Sequence, residues 1–375
     1  MNVTWRTLQT NFSGEHCYTH ARAVLCPDGF GLMTTQPLRL AGSDIFYEIC
    51  FSTTEDGGKT FSPITHSNVL RRVDLGDDYE SMLCDATPLY HAPTEKLLLI
   101  GAEAIYQNGE EPSAPHPTRV TYSVYDRAKG DFAPVQYLEM PKAEDARYFH
   151  CVNGSGQSLV LPNGELLLPL QCKAPDAASY AACVARCAFD GKRLQLLEVG
   201  THLCVDAPRG LYEPSLVAHN DRYYLCLRND ERGYVAVSED GLHYGTPVPL
   251  VFDDGQDSGN YNTQQHWITL GGKLYLVYTR RGANNDHVFR HRAPLFIAEY
   301  DVSRMCLVRD TEQIAVPNRG ARLGNFGCFS DGDGKRAYVF ASEWMQPPSY
   351  EHHRAWQRCA AYGSDNSIFI TEITP

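Results

Sequence analysis

The chain has 375 residues, 45 of them acidic against 33 basic, and its formal charge of −12 argues against nucleic acid as a partner. Its 43% hydrophobic content is ample for one large core, yet no apolar run reaches the length of a membrane span. The opening Met1-Asn-Val-Thr-Trp-Arg has neither a basic n-region nor an apolar h-region, and the 13 cysteines are odd in number and scattered, so a reducing, cytoplasmic setting is expected.

In chain order, six polar-ended segments each run towards a turn and an apolar strand. They are His20-Ala-Arg-Ala-Val-Leu, Cys84-Asp-Ala-Thr-Pro-Leu, Gly154-Ser-Gly-Gln-Ser-Leu, Tyr212-Glu-Pro-Ser-Leu-Val, Thr263-Gln-Gln-His-Trp-Ile and Gly324-Asn-Phe-Gly-Cys-Phe. With Arg22, Asp85, Gln157, Glu213, Gln264 and Asn325 as markers, the intervals are 63, 72, 56, 51 and 61 residues. A period near one sixth of the chain, filled with hairpins, predicts an all-β fold: a single six-bladed β-propeller domain over 1–375. The long interval from 85 to 157 leaves a seven-bladed ring as the alternative. The last strand, Ser367-Ile-Phe-Ile-Thr-Glu-Ile, is expected to pair with one near Val3-Thr-Trp-Arg-Thr-Leu and close the ring. The inner strands then meet at one axis, where their polar ends would build a shared pocket.

Thr54-Glu-Asp-Gly-Gly-Lys-Thr-Phe61 fits the Ser/Thr-x-Asp-x-Gly-x-Thr-Trp/Phe pattern of the Asp box, and Ser238-Glu-Asp-Gly-Leu-His-Tyr244 is a degenerate copy. Asp190-Gly and Tyr300-Asp-Val fall in equivalent turns. In such a turn the carboxylate accepts backbone N–H groups and glycine supplies positive φ, so the role is structural.

A propeller with these boxes resembles the sialidase superfamily. The resemblance implies an arginine on the first inner strand, where Arg22 stands, and a general acid/base on the following loop, where Asp44 stands in Gly-Ser-Asp44-Ile-Phe-Tyr. It further implies a Glu-Pro dipeptide and a strand ending in arginine in blade four, matched by Glu213-Pro214 and Leu227-Arg228. The third member of the family's carboxylate-binding arginine triad falls at Arg292, with Arg290 as competitor. One position departs: the nucleophilic tyrosine of the family lies on the sixth inner strand, where this chain has Asn325-Phe326.

The residues taken alone support related chemistry. Guanidinium forks at Arg22, Arg228 and Arg292 would hold one carboxylate bidentately. Asp44 and Glu213 form a carboxylate pair suited to glycoside cleavage, Asp44 as proton donor and Glu213 as base or orienter. His20, His150, His266 and His287 fall near blade ends and are candidates for proton transfer or substrate contact; His150 and His266 would serve in place of the missing tyrosine. Gln157, Gln264 and Asn325, with the stretch 259–267 and Trp344, read as a sugar-binding wall, and the charged segment 280–292 as a loop over the pocket mouth. Cys183-x-x-x-Cys187 lacks a second pair, so neither metal nor cofactor is expected. The expected activity is exo-acting hydrolysis of a small glycan or glycoside carrying an acidic sugar. The alternatives are β-elimination on a uronate by a His or Tyr, and a non-catalytic sugar-binding propeller.

Overall fold

The computed structural model describes residues 1–40, 44–347 and 354–375. Six small antiparallel sheets follow one another along the chain. Their inner strands are His16–Leu25, Tyr79–His91, the broken pair His150–Val152 and Leu159–Val160, Tyr212–His219, His266–Leu270 and Gly327–Ser330. The sixth sheet runs Gly327–Ser330, Ala337–Ser342, Ile368–Thr374 and then the N-terminal strand Asn2–Leu8. In that last pairing Val3 faces Ile373 and Leu8 faces Ile368, so the chain ends seal the ring and leave no open edge between them.

The seven-bladed alternative is ruled out. The long interval is spent inside blade two, on the end of strand Tyr79–His91, the long strand Lys96–Gln107, an added strand Gln136–Tyr137 paired with Val120–Asp126, and the connections after Gln107 and Tyr137.

Apolar packing lies between sheets rather than at the axis. Leu98, Ile100 and Tyr122 of blade two pack on Leu166, Leu168 and Cys183 of blade three. Val277 and Leu295 of blade five pack on Val339 and Phe369 of blade six in the same manner. Alternation along each strand gives both faces of every blade a neighbour, and the axis is left to polar groups.

In blades one to five the turn from third to fourth strand carries an aspartate whose carboxylate accepts backbone N–H groups further along the turn. Asp56 takes Thr60; Asp126 takes Ala128 and Lys129; Asp190 takes Lys192 and Arg193. Asp240 takes Leu242 and His243, and Asp301 takes Ser303 and Arg304. These bonds favour the ionised form and hold each carboxyl below its usual range. Blade six has no such turn, because its outer strand comes from the other end of the chain.

Candidate functional site

Five inner strands carry a non-glycine residue in the left-handed region at the same place in the repeat: His20 (φ 58°), Asp85 (50°), Ser155 (59°), Glu213 (44°) and Asn325 (64°). In blade five Gln264 takes that place, and Asn262 just before it is left-handed (φ 48°). The strand registers slip there, between Thr19 and Arg22, Cys84 and Thr87, and Tyr212 and Ser215. A bulge of this kind re-aims a side chain out of the pleat. Here the re-aimed side chains bond to one another across the axis.

Asp85 is the hub of one half. Its Oδ1 accepts from Ser155 Oγ (2.8 Å), Asn325 Nδ2 (3.1 Å) and Arg22 Nη2 (3.2 Å), and lies 3.2 Å from His20 Nε2. Although burial works against its charge, His20, Arg22 and Ser155 outweigh it and bring the carboxyl down to about 2. The other half centres on Glu213, whose Oε1 accepts from Arg228 Nη1 at 2.5 Å and whose backbone N–H donates to Gln171. Gln264 joins the halves: its amide N donates to Asn325 Oδ1 (3.0 Å) and Glu213 Oε2 (3.2 Å), and its O accepts the N–H groups of Asn325 and Phe326.

The three expected arginines separate in role. Arg22 is fully buried, and its donors are taken by Phe326 O, Ala86 O, Asp85 and Ser155, so it braces the floor of the site from below. Gly327 makes room for its stem; a Cβ there would lie 2.7 Å from Arg22 Cγ. Arg228 stacks on the Tyr212 ring (4.5 Å), and Glu213 and Tyr212 more than offset the burial that opposes its charge. Arg292 is different. It is 3% exposed, its guanidinium donates only to the Asn262 carbonyl, and among the described residues no carboxylate pairs with it. Burial first, then Arg228, Arg322 and Arg290, push its pKa well down, with Glu213 the opposing influence. Gly324 lets its stem pass, since a Cβ would lie 2.6 Å from Arg292 Cδ. The competitor Arg290 is exposed and stacks on Phe289.

Asp44 lines a cleft of about 500 Å³ with Glu111, His116, His150, Lys173 and Tyr180. Asp44 is exposed as a whole residue, yet protein crowds its carboxyl. That crowding, with Asp85 and Glu111, raises its pKa against the pull of Arg322 and Arg292. A carboxyl whose pKa is raised by burial beside a cationic cluster is suited to donate a proton.

The histidines divide in the same way. His150 faces the cleft, with Nδ1 2.6 Å from Thr118 Oγ1. His266 is buried, its Nε2–H donating to Phe326 O (3.1 Å) and its Nδ1 paired with Ser215 Oγ (2.7 Å). It supports the inner strands and does not reach the cleft. His287 stacks on Tyr362 and meets Asn318, neither of which belongs to the axial network. Gln157 is likewise spent between strands, on the Trp267 backbone N–H and carbonyl. The expected sugar wall over 259–267 turns inward: Asn260, Thr263, Gln264, Gln265, His266 and Trp267 are all buried, and Trp344 is buried beneath the Arg322 guanidinium (3.5 Å). The loop 280–292 is organised by buried Asn285, whose amide donates to the carbonyls of Arg280, His291 and Ala293. Sequence reasoning gave no role to Asp85, Ser155 or Arg322; the first two were identifiable as the repeat equivalents of Glu213 and Asn325.

At the sixth strand Phe326 turns away from the axis. Its ring is fully buried against His266 (4.8 Å), while Asn325 faces the axis. Tyr212, under Arg228, is buried and directs its hydroxyl to Asp230.

Burial depresses His20 to about 4 and His266 to about 3. Unfolded histidine titrates near 6.5, so as pH falls the unfolded chain takes up protons first. Stability is therefore complete above about pH 6.5 and is lost as pH falls towards 4, at about 1.4 kcal/mol per pH unit for each such histidine. Thermal unfolding across this range is expected to show a flat midpoint above neutrality and a steep fall below it, made shallower by His266→Gln.

No family model matches the sequence, and no curated protein matches it. Solved structures match over nearly the whole chain. A protein of unknown function from Dyadobacter fermentans superposes with a TM-score of 0.66 at 13% identity, covering 100% of this chain and 99% of that one. Trypanosoma rangeli sialidase gives 0.63 at 14% identity, and NanB sialidase from Streptococcus pneumoniae 0.65 at 10%. They cover 100% and 97% of this chain, which spans 60% and 70% of theirs. The protein is thus a six-bladed β-propeller with the sialidase-like fold.

Proposed function

We propose that the protein is a glycoside hydrolase acting on a small glycan or glycoside that carries an acidic sugar. The observation that carries this reading is Arg292, a buried guanidinium without a carboxylate partner beside Arg228 and Arg322. A buried cation left unpaired is costly, and a substrate carboxylate would supply the missing charge and accept the free edge of the fork. Asp44 is the proton donor to the leaving oxygen. Glu213, held by Arg228 and Gln264, orients the cationic group, and in this reading it assists attack by water. With Phe326 turned into the core, the tyrosine route of retaining sialidases has no group at its usual place, which favours direct attack by water.

The β-elimination reading retains one supporting observation: His150 and Tyr180 line the same cleft as Asp44. Purified protein tested on sialyl, glucuronyl and rhamnosyl-glucuronate glycosides separates the two, with reducing sugar and the ultraviolet absorbance of an unsaturated uronate read together. Sugar release without absorbance, reduced roughly 10²–10⁴-fold by Asp44→Asn, is the expected result. Absorbance that survives Asp44→Asn and disappears with His150→Ala would assign the protein to the lyases. Silence on every substrate would favour a sugar-binding module.

A further inference from the structure

Blade three holds a second cluster of chemically capable side chains, remote in role from the axis. Cys151 and Cys172 are direct cross-strand partners, and Cys183 faces Leu170 two places further along, so all three thiols share one face of the sheet. Each is at most 2% exposed. Cys151 Sγ lies 3.2 Å from Cys172 Sγ, and Cys172 Sγ lies 3.8 Å from Cys183 Sγ. His202 is brought to them by a bridge in which Leu203 N donates to Ala182 O (2.7 Å) and Ala182 N donates to Leu203 O (3.0 Å). Ligand atoms of Cys172, Cys183 and His202 all fall within 4.8 Å of one another. His202 Nε2 is buried and has no hydrogen-bond partner.

We propose that Cys172, Cys183 and His202, with Cys151 as the fourth donor, bind one zinc ion. Two thiolates at zinc bond lengths of about 2.3 Å from a tetrahedral centre stand about 3.8 Å apart, which is the Cys172–Cys183 separation found here. Cys151, 3.2 Å from Cys172 Sγ, stands outside the 4.8 Å group, so its side chain must rotate to bring the thiolate onto the ion. Three sulfurs and one imidazole form a soft donor set that favours zinc over oxygen-seeking cations. On binding, coordinated thiols release their protons to solvent, and His202 contributes a neutral ring nitrogen. His202 is the partly exposed member, so the ion enters from its side. The site is invisible to local spacing because its ligands are 21, 11 and 19 residues apart. Cys187, the other half of the close sequence pair, is not among them.

The test is titration of the reduced, metal-stripped full chain with Zn2+ alone and with Co2+, following thermal unfolding and the thiolate-to-cobalt absorbance. One equivalent bound per chain, with charge-transfer bands and a raised unfolding midpoint, is expected. Cys172→Ser and His202→Gln should each weaken binding by roughly 10–100-fold or more, whereas Cys204→Ser, at an exposed cysteine, should leave it unchanged. His202→Gln guards against a folding failure of the buried cysteine variant. Absence of stoichiometric binding, or binding that persists in His202→Gln and a folded Cys172→Ser, would overturn the proposal. A Cys151–Cys172 disulfide in freshly isolated protein with no bound metal would also overturn it.

Discussion

Asp85→Asn is expected to lower stability by about 3–5 kcal/mol, the range for removing one partner of a buried charge pair. The reason is the company Asp85 keeps. Arg22 is fully buried and Asp85 is its ion-pair partner, while Ser155 and Asn325 also donate to the same oxygen. An amide retains the shape, but leaves the guanidinium uncompensated between blades one, two, three and six. Denaturant unfolding gives the measurement. The matched control is Asp126→Asn on the surface, which keeps an acceptor oxygen for the turn N–H groups of Ala128 and Lys129 and should leave stability nearly unchanged. Equal effects at the two positions would mean that the axial hub contributes no more than an outer turn.

Arg292→Met is expected to do the opposite. The methionine removes a desolvated cation that faces Arg228, Arg322 and Arg290, at the loss of hydrogen bonds to the Asn262 carbonyl. Replacing an unfavourable buried charge by a well-packed apolar side chain should raise stability by about 1–3 kcal/mol. The same substitution should abolish stabilisation of the protein by added sugar acids, because the fork that would accept their carboxylate is gone. Stability gained together with binding lost is the signature of a residue kept for a ligand. A variant that is less stable and still stabilised by sugar acids would place Arg292 among the structural arginines, beside Arg22.

The ring was legible because its signal is repetitive: six polar-to-apolar segments and several Asp turns report the same unit independently. The blade count became ambiguous only where blade two lengthens its second strand, Lys96–Gln107, and the connections that follow it. The Glu213–Arg228 pair was also readable, since both lie on one hairpin and Tyr212 faces Arg228 across it. Arg22 could not be read the same way. Its partners Asp85, Ser155 and the Phe326 carbonyl come from three other blades, and no local pattern shows that its donors are already used. His266 and Gln157 mislead for the same reason, since polar residues beside an axis serve neighbouring strands as readily as a ligand. Asp85 was marked as a repeat position but given no role, although Glu213 and Asn325, its equivalents, were chosen. The left-handed bulge common to these positions is a backbone property, and sequence spacing carries no trace of it.

The most direct test of the central claim is calorimetric titration of the protein with a sugar acid and with its methyl ester, using sialic and glucuronic acids as the pair of skeletons. The axial arginine site predicts that at least one acid binds, that its ester binds far more weakly, and that Arg292→Met removes the difference. Equal binding of acid and ester, or binding of neither acid, would contradict an axial carboxylate site.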